Sequence, residues 1–443
     1  MSRFLQFECE PLAQPAATDP LEKASWSSLR IRAGGQAVSR VFDRKLGEER
    51  SLLYVPVFSV AEWIANNWWT ILHEPCRTAL IPDADADEPH FSWTQRHCLR
   101  SAESDLLLPA LYLYSEGHRL RAEWQADDQA DLPHMPAYFV GSGSMSVERE
   151  ATEQVFAEFV SEVISRASHV DDSRVCDLRE LWQAIRDSDD SERTFCVIAG
   201  RLGRNPYDSQ DVSDALAKVI ESLGDEADPL VEDVTSATAP DNLASHWDWT
   251  QRARSAHGLQ GLAPLPLVPN DMFDSAPAQF GYRLSHVFRD RAGLGKDAPL
   301  SSIDEAGTKA LGRTVKRVEE NHLPGKEIRL IVGGGRDSNG PALIVGPRNS
   351  WEEGERFQMA RGLFLIASAA SNGPRLVTEA FTWNQKASRA FAAELLAPRV
   401  ALKNRVGDTA DRESIRDLAD EFRTSTMLIE NQLRNARVNV LFD

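Results

Sequence analysis

The sequence predicts an α+β protein of several domains: a β-rich N-terminal domain over 1–146, an all-α module over 147–262, an α+β domain over 263–405 and a helical tail over 406–443. Three observations carry this division. Alternating runs with glycine-bearing turns dominate the first part, and apolar residues three and four apart dominate the second. Beyond Pro264, two β-branched runs precede two long helical patterns. A chain of 443 residues also exceeds what one core of ordinary size organises.

In the first part, Ser28-Leu29-Arg30-Ile31-Arg32 alternates and Ala33-Gly34-Gly35-Gln36 supplies a turn. Residues 110–114 and 119–124 form the clearest hairpin, and the Glu116-Gly117 pair allows the positive φ of a tight turn. Residues 60–72 predict one helix with an aromatic face. Trp63, Trp68 and Trp69 on it are candidate anchors for an exposed binding patch. Core packing is the other account of them. Residues 83–88 predict an exposed acidic loop, which lacks the central glycine of a calcium loop.

A Gly141-Ser142-Gly143-Ser144 turn is expected to close that domain. Val147, Ala151, Val155, Phe159 and Val163 then recur four apart, predicting a long amphipathic helix capped by Ser144 or Ser146. Leu178, Leu181, Trp182 and Ile185 repeat the spacing, as do Val212, Ala215, Leu216, Val219 and Ile220. The acidic stretch 225–241 supports only short helical pieces. Further on, 280–289 predicts a helix, and 327–332 and 342–345 predict strands. The glycine-rich connection 333–340 is turn chemistry; no Gly-Lys-Ser/Thr and no helix opening make it a phosphate cradle.

Charge removes other classes. Acidic residues outnumber basic ones 67 to 49, and a net charge of −18 repels phosphate backbones, so nucleic acid is a disfavoured partner. No run of about 18 apolar residues spans a membrane. The N-terminus lacks the apolar segment of a signal peptide, which gives a cytoplasmic expectation. The five cysteines show no C-x-x-C spacing and read as reduced, buried thiols. His97-Cys98 is the closest pair of soft ligands, and adjacent residues rarely reach one metal together.

Two helical segments carry the functional reading. Residues 355–367 read Glu-Arg-Phe-Gln-Met-Ala-Arg-Gly-Leu-Phe-Leu-Ile-Ala, and 385–398 read Gln-Lys-Ala-Ser-Arg-Ala-Phe-Ala-Ala-Glu-Leu-Leu-Ala-Pro. With the strand pair before them, they resemble the ImmA/IrrE family of bacterial zinc metallopeptidases over roughly 264–435. In that family an Arg-Phe-x-x-Ala helix holds His-Glu-x-x-His, and a second helix ending Phe-Ala-Ala-x-Leu-Leu-x-Pro supplies a further Glu. Arg356, Phe357 and Ala360 match the first helix. Phe391, Ala392, Ala393, Leu395, Leu396 and Pro398 match the second. More loosely, 195–203 and Asn205-Pro206-Tyr207 resemble segments of longer members with added N-terminal regions.

The departures decide what the resemblance implies. Histidines at i and i+4 share a helical face and can chelate one ion, with a glutamate between them as general base. Here those positions carry Arg361, Leu365 and Gly362, and the further Glu falls on Ala387. The resemblance therefore implies a degenerate zincin-like α+β domain with a helix-turn-helix-like tail, a pseudoprotease without catalytic residues, metal or cofactor. It implies a binding or sensing protein of bacterial stress response or phage defence. The expected partner is a protein, repressor-like or part of a defence complex. Arg361 is the candidate contact for an anionic ligand or a partner's carboxylate; core scaffolding is the alternative.

Two other readings remain beside it. An active metallopeptidase with a rebuilt metal site would draw on His73-Glu74 or His97, although the N-terminal domain lacks His-Glu-x-x-His, Gly-x-Ser-x-Gly and nucleotide motifs. A DNA-binding regulator would use the tail, where 413–422 is a helix and Ser425 caps 426–435. The first of these helices is acidic, and the second offers only Arg434, with Arg437 beyond it.

Overall fold

The fold is described from a computed structural model for residues 4–12, 17–76, 88–128 (side chains of 88–91 excepted), 135–261, 276–320, 325–335, 340–368 and 373–441. It is α+β, and the chain divides into two compact units, 1–222 and 223–443. The helices of 147–262 are shared between them. Of the expected acidic loop, 83–87 lie outside the described residues, as do 336–339 of the glycine-rich connection. Among the described residues, no helix is long and apolar enough to cross a membrane.

Unit one begins with β1 (Leu5–Pro11) and α1 (Pro20–Ser25), which Asp19 caps by accepting the Leu21 N–H. The chain returns antiparallel to β1 as β2 (Trp26–Ala33), and Gly34 and Gly35, both at positive φ, turn it into β3 (Gln36–Ala37). Then come β4 (Val41–Asp43), β5 (Glu48–Arg50) and β6 (Leu53–Pro56), the last pairing with β2. The expected single helix over 60–72 is two: α2 (Phe58–Asn66) and α3 (Trp68–His73). The break falls at Asn67, whose backbone leaves the helical region at φ −109° and ψ 17°; its N–H and its side-chain amide both donate to the Trp63 carbonyl, at 3.0 and 2.9 Å, and so close the end of α2.

After α4 (Glu88–His97), β7 (Ala110–Ser115) and β8 (Arg119–Gln125) form the predicted hairpin, with Gly117 at φ 94°. Next are β9 (Ala137–Phe139), paired with β4, and β10 (Gly143–Glu148), paired with β8. β10 replaces the expected Gly-Ser turn and helix cap. Ser146 instead donates to Glu116 at 3.0 Å, and α5 (Arg149–Ala167) starts without a side-chain cap. Then α6 (Ser173–Asp187), α7 (Asp190–Arg201) and α8 (Asp214–Leu223) follow. Asp189 and Glu192 make a capping box on α7.

Unit two opens with α9 (Pro229–Ala237), α10 (Leu243–His257), α11 (Pro277–Arg291) and α12 (Ile303–Leu311). Its sheet is built from β11 (Val315–Glu319), β12 (Ile328–Gly334), β13 (Ala342–Gly346) and, after α13 (Glu352–Ala367), β14 (Arg375–Thr378). The strand order is β11-β13-β12-β14, parallel only between β11 and β13. α14 (Trp383–Leu396) packs on α13 and closely on α11. A Cβ on Gly281 of α11 would overlap the Ala387 carbonyl, so the approach requires glycine there. Phe280, Phe288, Phe364 and Phe391 interlock edge-on and tilted across these helices, at 5.4–5.9 Å between centroids.

The tail comprises α15 (Arg399–Val406), β15 (Thr409–Ala410), α16 (Arg412–Phe422), α17 (Thr426–Asn435) and β16 (Asn439–Val440). Ser425 caps α17 as the sequence predicts, accepting the Leu428 N–H at 3.3 Å. Two buried groups fasten the tail to the core. Arg356 donates to the Arg423 and Leu300 carbonyls at 3.1 and 2.5 Å, and Gln432 donates to Glu394 and the Ala397 carbonyl, both at 2.9 Å.

Candidate functional site

The positions where the resemblance places metal ligands lie on α13 and α14. α13 carries Glu352, Glu353 and Glu355 in its first turn, favourable charges at a helix N-terminus. Two turns further on, Arg361 is the largest fully buried side chain among the described residues, at 1% exposure. Its guanidinium meets oxygens on nearly every side. Nε donates to Ser388 Oγ at 3.1 Å, Nη1 to Gln358 Oε1 at 3.2 Å, and Nη2 to the Thr378 carbonyl at 2.5 Å and Gln385 Oε1 at 2.8 Å. The nearest carboxylate, Glu379, is 4.0 Å away. Burial is the main force that pushes Arg361 down to about 9, with Arg389 adding to it and Glu379 opposing.

The other three positions are packed solid. Leu365 and Ala387 belong to the apolar core of unit two. A Cβ on Gly362 would sit 3.2 Å from Val332 and 3.5 Å from Ile344, so α13 rides close on the sheet there. A glutamate at 362 would have to force the helix away, and one at 387 would replace a methyl that is fully buried beside α11.

The same cluster closes the neighbouring sheet edge. β14 is an edge strand, and only its residues at 376 and 378 turn their backbone groups outward, because 375, 377 and 379 face β12. An unpaired edge ordinarily invites another strand. Here all four outward groups are taken by side chains. The Leu376 N–H donates to Asp233 at 2.8 Å, and its carbonyl accepts from Gln385 Nε2 at 2.7 Å. The Thr378 N–H donates to Gln385 Oε1 at 3.2 Å, and its carbonyl accepts from Arg361. Gln385 thus supplies a donor and an acceptor as one peptide group of an added strand would. Asp233 is held by a bidentate ion pair to Arg375, 2.7 Å on both arms.

Nothing in the sequence pattern singled out Gln358, Thr378 or Asp233. Gln385 and Ser388 were visible as i and i+3 on the second helix, but nothing assigned them to Arg361. At the solvent side of this cluster, Glu379 is held below the usual carboxylate range. Burial raises it, and Arg361, Arg329 and Arg389 more than offset that.

Unit one contains the remaining candidates. Trp63, Trp68 and Trp69 are buried, so of their two accounts the side chains serve core packing and not an exposed patch. Trp63 donates to the Gln95 carbonyl at 2.9 Å, Trp68 stacks edge-on against Trp182 at 5.1 Å, and Trp69 donates to Tyr207 Oη at 3.3 Å. α6 and α7 cover this face: Trp182 of α6 lies on Trp68, and Gly200 of α7 leaves only 2.5 Å between its would-be Cβ and the Trp69 carbonyl oxygen.

His73, Glu74 and His97 do not converge on a metal. Glu74 is buried and takes both arms of Arg96, at 2.9 and 2.8 Å, and His97 Nε2 at 3.0 Å. Burial raises its carboxyl, and His97 and Arg96 together bring it down to about 2. His97 Nδ1 lies 2.6 Å from the Leu113 carbonyl. His73 is pushed well below its ordinary value by burial, then by Arg149, Arg201 and Arg193. Burial likewise raises the Cys98 thiol. Among the described residues, no group of three or more His, Cys, Asp or Glu is arranged to hold a metal ion.

No family model matches this chain. No curated protein matches it either.

Proposed function

We propose that this chain is a catalytically inactive, metallopeptidase-like protein of the ImmA/IrrE kind that binds or senses rather than cleaves. Its setting is bacterial stress response or phage defence in the cytoplasm, and it acts through a protein partner of repressor-like or defence-complex type. One observation carries the loss of chemistry. At the position of the first metal-binding histidine stands a buried guanidinium with four oxygen acceptors around it. A cation so placed opposes a divalent metal by charge and fills the space the metal would need.

Two further features support a binding role over a hydrolytic one. An extended substrate peptide could not add as a strand at the β14 edge, because Gln385, Arg361 and Asp233 already occupy its outward backbone groups. The frame around the emptied position is intact in packing: Arg356 still anchors the tail, and Glu394 still binds Gln432. For a DNA-reading tail the support is thin, since Arg434 is paired with Glu430 at 2.6 Å on the same helix.

Native mass spectrometry of the protein isolated gently from its own host tests this reading. The expected species is the bare 49.3 kDa chain, or that chain with a protein partner at fixed stoichiometry. One zinc ion per chain, removable by a chelator together with peptidase activity, would overturn it.

A further inference from the structure

A cleft of about 400 Å³ in unit one opens between α3, α5, α6 and α7, within the size range of small-molecule sites. Its walls carry opposite charge. Glu150, Glu153 and Gln154 stand one turn apart on α5 and face it from one side; Arg186, at the end of α6, and Arg193, on α7, face it from the other. The floor is apolar and fixed: Trp68 is buried against Trp182, and Ile185 is buried beside it. Arg193 is oriented in advance, with its guanidinium 5.6 Å above the Trp69 ring.

Two of the four charges are engaged within the protein and two are not. Among the described residues, Glu150 and Arg186 make no ion pair, and Arg193 reaches Glu153 only at 3.5 Å, with 47% and 27% of the two side chains exposed. An exposed pair of that length is worth little, on the order of 0.2–1 kcal/mol, so separating it costs little. We propose that this cleft binds a small zwitterion with an apolar body, a short peptide with both termini free. The ammonium group meets Glu150 and Glu153, the carboxylate meets Arg186 and Arg193, and an aliphatic side chain lies over Trp68 and Ile185. The assignment is independent of the emptied α13 site. It would make unit one the ligand-reading part of the molecule.

Leucyl-leucine, acetyl-leucyl-leucine and leucyl-leucine amide are suitable probes for calorimetric titration of the full chain. The free dipeptide is expected to bind, and blocking either end to weaken it roughly tenfold, the loss of one charge-assisted contact. The variants Glu150→Gln and Arg186→Gln alter exposed side chains and leave the thermal midpoint of the free protein unchanged. With Glu150→Gln the penalty for acetylation shrinks while that for amidation stays; with Arg186→Gln the reverse holds. Equal binding of all three probes, the same penalties in both variants, or no binding of leucyl-leucine at millimolar concentration would overturn the proposal.

Discussion

Gln385 Oε1 lies 2.8 Å from Arg361 Nη2 and 3.2 Å from the Thr378 N–H, so one amide oxygen joins the buried cation to the sheet edge. That junction ties α13, α14 and β14 together at the place where the resemblance would put a metal ion.

Removing the cation should therefore damage the fold of unit two. Arg361→Ala leaves a cavity and strips donors from the Thr378 carbonyl, Gln385, Ser388 and Gln358. Urea unfolding should report a loss of about 3–5 kcal/mol, the range for breaking a buried polar network. An effect below about 1 kcal/mol would mean that the guanidinium is not held as described.

Gln385→Leu keeps the volume and removes both hydrogen-bonding ends. The Leu376 carbonyl and the Thr378 N–H are then left unpaired in the interior, at about 1–3 kcal/mol each. Hydrogen exchange at β14 should accelerate more than at β12, which is paired on both edges. Unchanged protection of the Thr378 amide is the contrary result.

Close approach of α11 to α14 makes Gly281 intolerant of the smallest enlargement. Gly281→Ala places a methyl against the Ala387 backbone, where neither helix has a flexible atom to yield. A cost of about 1–3 kcal/mol by chemical denaturation is expected, although alanine has the higher helix propensity. A stabilised variant would show that the helices separate readily.

Glu74 sets an acid limit for unit one. Its carboxyl is held at about 2 in the fold against an ordinary 4.5. A depressed carboxylate contributes stability above its unfolded value and loses it as pH falls toward the folded one. Between roughly pH 4.5 and 2 the protein should lose on the order of 3 kcal/mol through this group. In Glu74→Gln, urea titrations across that window should lose this part of the slope; an unaltered slope would assign the acid sensitivity elsewhere.

Local patterning was legible wherever one short-range rule acted alone. The hairpin at Gly117, the Gly34-Gly35 turn, the cap at Ser425 and the α6 helix follow from turn chemistry, a single hydroxyl and apolar periodicity. Reading failed where one residue's backbone turned out of the helix or a distant strand intervened. The helix over 60–72 divides at Asn67, whose backbone leaves the helical region, and 143–148 extends because β8 is there to pair with it.

By itself, then, the sequence determined that Arg361, Gly362, Leu365 and Ala387 provide no set of metal ligands, since side-chain identity alone fixes donor chemistry. Only the tertiary structure decided what Arg361 does. Its acceptors come from 358, 378, 385 and 388, on α13, β14 and α14, and burial is what turns a surface-seeking cation into the centre of a closed network. The same holds for the three tryptophans: aromatic spacing fixes which face is apolar, and only the neighbouring helices determine whether that face meets solvent or another helix.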